Sequence, residues 1–132
     1  VPSMDKKALY KLPCGLFILT AQENGRDNGC IVNTVTQVTS TPCRVTVAVN
    51  KQNLTHDMIL ATGKFNASVL STDAPFEVYQ HFGFQSGRDV NKFPGAGFPR
   101  SENGLIYIPH AACAWLPAAS SARRISARTR CF

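Results

Sequence analysis

From Cys30 to Ser40 the chain is dominated by Val, Ile and Thr. Their branched side chains are crowded in a helix and sit well on a pleated surface. The segment therefore reads as one strand, ended by Pro42. Alternation puts Ile31, Asn33, Val35, Gln37 and Thr39 on one face, and Val32, Thr34, Thr36, Val38 and Ser40 on the other. Neither face is fully apolar. A strand of this kind has to meet something polar on one side, and other segments must supply the core.

Those segments are visible. Gly15 to Ala21 is apolar and β-prone, a buried strand. Glu23 to Gly29 reads as a turn whose two Asn-Gly pairs, Asn24-Gly25 and Asn28-Gly29, can take positive φ. Arg44 to Val49 places Val45, Val47 and Val49 on one face, and Phe65, Ala67 and Val69 alternate in a further strand. Leu105 to Ile108 reads as the last strand. Asp5 to Lys11 reads as a short helix stopped by Pro13. A second helix follows Asn50 and runs to Thr62, capped by Asn53 or Thr55, turned at Gly63, with Leu54, Met58 and Ile59 inward. A third is capped by Asp73 and begun by Pro75, with Phe76, Tyr79 and Phe82 inward. A long loop spans Gln85 to Asn103. At 132 residues, 44% apolar and 17% charged, the chain suits a single domain with a real core. Strands bounded by turn signals then imply a mainly β protein, a closed or nearly closed antiparallel barrel with short helices.

Several function classes drop out. No apolar run reaches the ~18 residues of a membrane helix, and the start has no apolar export segment. A cytoplasmic chain with no membrane partner is expected, Met4 being its native start. The five cysteines are widely spaced with no Cys-x-x-Cys, so a zinc site is not expected and reduced, buried thiols are. The formal charge is +6, but Arg123, Arg124, Arg128 and Arg130 crowd the last ten residues and no acid follows Glu102. That tail lacks interleaved aromatics and reads as a solvated end, so no nucleic-acid partner is expected. No nucleophile elbow, zinc-protease, phosphate-loop or dinucleotide-fingerprint motif occurs, and His56, His81 and His110 are scattered. With no catalytic residue and no metal site in view, a cofactor has to bring the chemistry.

Two polar constellations stand out. The first is Asn33 to Ser40, whose amides, hydroxyls and backbone N–H groups suit a planar, heteroatom-rich ring; the same residues also read as an edge strand. The second is Asn50, Lys51, Gln52, Asn53 and Thr55 ahead of a helix N-terminus, where free N–H groups and the helix dipole favour an anion such as phosphate. Ordinary capping and a solvated lysine would look the same. Ser86-Gly87-Arg88-Asp89 adds a basic turn able to close over a ligand.

These segments carry a resemblance. Asp5 to Lys11, Gly15 to Thr20, Asn33 to Pro42, Val49 to His56 and Phe82 to Phe93 resemble, in order, the flavin reductase-like family with an FMN-binding split barrel. The likeness is strongest to the flavoredoxins and the flavin domains of high-molecular-weight rubredoxins. It implies a Greek-key barrel, a homodimer, and FMN beside the subunit interface. It implies transfer of electrons from NADH or NADPH through FMN to free flavin, a rubredoxin or a diiron flavoprotein. Carried over by position, Asn33, Thr34, Gln37, Val38, Thr39 and Ser40 would line the ring and ribityl chain. Asn50, Lys51, Asn53 and Thr55 would hold the phosphate, with Arg88 and Lys92 near the ligand. The alternatives are a flavin-binding module without enzymatic activity and an inactive fragment of the fold.

The resemblance fades after Ala114. Residues 1–114 read as the barrel domain and 115–132 as a divergent basic tail without strand alternation, of the composition an out-of-frame stretch would have. The barrel is therefore expected to be incomplete at its C-terminal end, leaving a sheet edge unpaired.

Overall fold

Phe17–Glu23 (β1) and Arg26–Val32 (β2) form an antiparallel hairpin closed by Asn24 and Gly25, both at positive φ, 52° and 79°. That geometry matches the twist of the flanking strands and explains the Asn-Gly pair. This computed structural model describes residues 6–12, 15–95, 97–119, 124–125 and 129–131. Asp5, Pro13, Cys14 and much of the basic tail lie outside them. The chain continues through Val35–Ser40 (β3), Cys43–Asn50 (β4), Leu54–Thr62 (α1), Lys64–Leu70 (β5), Phe76–Gly83 (α2), Ala112–Ala119 (β6), Arg124–Ile125 (β7) and Thr129–Cys131 (β8). Lys6–Lys11 is a 3-10 turn rather than an α-helix.

Two antiparallel sheets result, ordered β2-β1-β5-β6 and β3-β4-β8-β7. The expected mainly β barrel is present. Its core lies between the sheets, where Leu19, Cys30, Val32, Val47, Val49, Phe65 and Ala67 meet Met58 and Ile59 of α1. Val47 and Val49 face inward as the alternation predicts. Gly63 ends α1 at φ 72°, its N–H bonded to Ile59 O.

The first sheet is covered on its other face as well. Ile18 points there and packs with Val78 and Phe82 of α2 and with Phe93, Ile106, Ile108 and Ala111 of the long loop. This second layer explains why Thr20, Asn66 and Ser68 are buried. They hydrogen-bond backbone groups of the covering loop. Thr20 Oγ1 donates to Ile106 O at 2.5 Å, Asn66 Nδ2 to Leu105 O at 3.1 Å, and Ile108 N to Ser68 Oγ at 3.2 Å.

Seven expectations are corrected. Cys30 to Ser40 is not one strand: the chain breaks at Asn33 and Thr34, and the two halves join different sheets. Asn28-Gly29 is not a turn but lies within β2, because the first Asn-Gly pair already closes the hairpin. Pro75, not Asp73, is the N-cap of α2, and Phe76 turns outward while Val78 and Phe82 point in. Leu105 to Ile108 is buried but irregular, with a single bridge between Arg100 and Ile106. Among the thiols, Cys30 is buried but Cys43 and Cys113 are exposed. The Ala-rich run after Ala111 does form a strand: β6 pairs with β5 from Leu70↔Ala112 to Lys64↔Ala119. Farther on, β8 pairs with β4 through Ala48↔Cys131, Val49↔Arg130 and Asn50↔Thr129.

Candidate functional site

The break at Asn33 and Thr34 creates a concavity. As the chain leaves the first sheet for the second, Leu16, Ile31, Val32 and Asn33 line one wall of a cavity of about 440 Å³, and Ala48, Asn50 and Asn53 line the other. Asn50 ends β4 and Asn53 opens α1. The turn between them is held by Asn53 N donating to Asn50 O at 3.0 Å and Gln52 N to Asn50 Oδ1 at 3.0 Å. Asn53 occupies the N-cap, with φ −72° and ψ 135°, yet its side chain makes no capping hydrogen bond. His56 N donates to Asn53 O at 3.1 Å, so the backbone N–H groups of Leu54 and Thr55 are the ones this helix start presents.

Asn53 also belongs to a second cavity, of about 340 Å³, shared with Asn28, Cys30, Gln52, Thr55, Phe84, Ser86, Gly87 and Lys92. The two hollows meet at the start of α1. In the second, Thr55 is fully buried and its Oγ1 accepts from Asn28 Nδ2 at 2.9 Å. Gly87 rests on the Asn28 carboxamide so closely that a Cβ there would overlap it. Lys92 is 3% exposed, and its Nζ donates to Gly29 O at 2.7 Å and Phe82 O at 3.0 Å. The second of these carbonyls belongs to the last turn of α2, where a cation is favoured. An ammonium carries three N–H groups, and these two carbonyls take two of them. Burial pushes the Lys92 pKa down. Burial pushes the Cys30 thiol up, opposed by hydrogen bonds with Thr55 and Asn53 and by Lys92. The cavity thus contains a sheltered cation beside a thiol that stays protonated.

Of the residues expected at a site, Asn33, Asn50 and Asn53 line the first cavity, and Asn53, Thr55 and Lys92 the second. Thr34 and Lys51 flank them, at the strand break and in the β4–α1 turn. Gln37, Val38, Thr39 and Ser40 lie on the open surface of β3 and line neither. There Thr39 Oγ1 donates to Pro42 O at 2.6 Å and Gln37 Nε2 to Thr39 O at 3.4 Å. Arg88 stands apart, with Nη2 2.5 Å from Asp57 Oδ2. That guanidinium, with His56 Nδ1 at 2.9 Å, holds the Asp57 carboxyl below the usual carboxylate range. Sequence reasoning missed Asn28, Cys30 and Phe84, whereas Ser86 and Gly87 belong to the basic turn it had singled out. Asn28 was hidden inside an apparent turn, and no local pattern marks Cys30 or Phe84.

The barrel's sheet-to-sheet crossover opens a polar hollow against the N-terminus of α1, a place that favours an anion. The flavin reductase like domain matches residues 9–127, and the chain belongs to that family. It is 46% identical over 115 residues to a high molecular weight rubredoxin of Moorella thermoacetica, a match covering 87% of this chain and 50% of that one. It is 38% identical over 115 residues to a ferric-chelate reductase (NAD(P)H) of Archaeoglobus fulgidus, covering 87% and 68%. The chain thus spans half the length of the first relative. Its fold is that of the flavoredoxin of Methanosarcina acetivorans, with TM-score 0.82, 19% identity, and 100% of this chain and 70% of that one covered. No helix among the described residues is long and apolar enough to cross a membrane.

Proposed function

We propose that this chain binds FMN and passes electrons from NADH or NADPH, through the flavin, to free flavin, a rubredoxin or another redox protein. The carrying observation is the pair of cavities meeting at Asn53, one neutral and amide-lined, the other holding a buried cation. The residues fit the cofactor. An uncapped helix start and the Lys92 ammonium suit a phosphate. Asn33, Asn50 and the apolar Leu16, Ile31 and Val32 suit the ribityl chain and one side of a planar ring. The open face of β3, with Thr34, Gln37, Val38, Thr39 and Ser40, is the proposed cover for the rest of the ring. Lys51 and Arg88 border the phosphate end.

Bound FMN supplies hydride and electron transfer, which no side chain of this protein provides. The chain binds and orients the cofactor, and donors along the ring edge favour its more negative, reduced form. No residue is assigned as an essential acid or base. The relative named for NAD(P)H supports a reduced nicotinamide donor, and the rubredoxin-bearing relative supports a rubredoxin-type acceptor. A homodimer located in the cytoplasm completes the reading, with its interface beside the exposed β3.

Incubation with FMN followed by gel filtration and an absorbance scan tests this directly. Flavin bands co-eluting with protein are expected, together with NADH or NADPH oxidation when FMN is present. A folded chain that stays colourless in excess FMN overturns the reading. Retained flavin without nicotinamide oxidation would instead identify a binding module that depends on a partner for reduction.

A further inference from the structure

Phe84 follows the last turn of α2, with its N–H bonded to Gln80 O. Its side chain is 72% exposed, and its ring meets Phe76 edge-on, 6.1 Å apart at 64°. It stands at the rim of the second cavity beside Ser86 and Gly87, across from the first turn of α1. That cavity holds the Lys92 ammonium and the Thr55 hydroxyl. An open aromatic face therefore adjoins a polar hollow with a lysine ammonium in its wall. Phosphate and aromatic base are the two parts of a nucleotide, and a preset ring stacks a base with little loss of side-chain freedom.

We propose that Phe84 is the stacking shelf for an adenine base whose attached phosphate occupies the second cavity. The inference rests on the preceding reading only for the phosphate seat. Two ligands present an adenine next to phosphate: a flavin adenine dinucleotide replacing FMN, and the nicotinamide dinucleotide, which would take this seat only in competition with the FMN phosphate. Phe76 acts through Phe84, holding the ring upright.

The test titrates the full chain, Phe84→Ala and Phe84→Trp with ADP, FMN, FAD and NADH by calorimetry. Phe84→Ala is expected to weaken ADP by about 10-fold and to spare FMN, with Phe84→Trp restoring the affinity. If FAD weakens with ADP and NADH does not, the base belongs to the flavin dinucleotide; the converse assigns it to the donor. Equal losses for FMN and ADP overturn the proposal, as does an altered sedimentation coefficient with unchanged affinities. So does FAD binding like FMN while ADP and NADH ignore the substitution. A chain that binds ADP through Phe84 but no flavin would keep this inference and end the flavin reading.

Discussion

At the residue scale the electrostatics divide into a sheltered cation and exposed ones. Lys51 sits in the turn between β4 and α1, half-buried and at the proposed phosphate end. A charge-assisted hydrogen bond to phosphate stabilises a complex by roughly 1.5–3 kcal/mol. Lys51→Ala should therefore weaken FMN binding by ~10-fold or more while leaving turnover at saturating FMN largely intact. Abolished turnover at saturation would mean that Lys51 does more than bind. Asp57 gives a pH prediction. Its folded pKa lies below the unfolded one, first through Arg88 and then through His56. The stabilisation is therefore present above the ordinary value of ~3.9 and disappears as pH falls through the folded value. Both partners are about half exposed, so solvent screening keeps the effect small. Arg88→Ala should unfold at slightly higher pH than the parent, the difference vanishing at the acid extreme, as followed by circular dichroism. A constant difference down to that extreme would point to packing instead of charge. Asn33, Asn50, Asn53 and Thr55 were legible as candidate cavity-lining groups from their places at a strand end and a helix start. Phe84 was not, since an aromatic's exposure is decided by packing elsewhere.

At the element scale the long loop is the unusual part, because it packs as a layer without forming a strand. Asn66 makes this possible. Its Nδ2 donates to Ser101 Oγ at 2.8 Å and to Leu105 O at 3.1 Å, and its Oδ1 accepts from Asn103 Nδ2 at 2.8 Å. Removing that side chain leaves the Asn103 amide without its acceptor, at a cost of about 1–3 kcal/mol, while the Leu105 carbonyl keeps Ser101 N at 2.9 Å. Asn66→Ala should thus lower urea-unfolding stability by roughly 1–3 kcal/mol. A cost below ~0.5 kcal/mol would show that water replaces the side chain. Alternation made β1, β4 and β5 legible, since each buries an apolar face against the other sheet. It could not disclose that β5 is buried on both faces, because Asn66 and Ser68 look like solvent-facing polar residues until the loop lies over them. The same limit hid the break at Asn33: Val and Thr favour strand on both sides of it, and only the crossover between sheets decides where pairing stops.

At the scale of the whole molecule the question is what closes the second sheet. β3 and β4 form a hairpin with one free edge on β4, and β8 occupies that edge from Ala48 to Asn50. An open edge beside the core would leave backbone groups unpaired and invite association. The composition of the tail hides this role, since Arg, Ser and Ala carry no strand alternation, and the pairing comes from backbone atoms alone. The closure also reaches the candidate site, because Asn50 faces the first cavity and is paired with Thr129. Truncation after Ala119 should therefore do two things together. It should lower the urea midpoint and promote aggregation, and it should weaken FMN binding by loosening the β4 end that presents Asn50. Denaturation, light scattering and flavin titration on the two chain lengths would measure this. If the shortened chain keeps both the midpoint and the affinity, then β4 needs no neighbour on that side, and the site depends only on the hairpin and the start of α1.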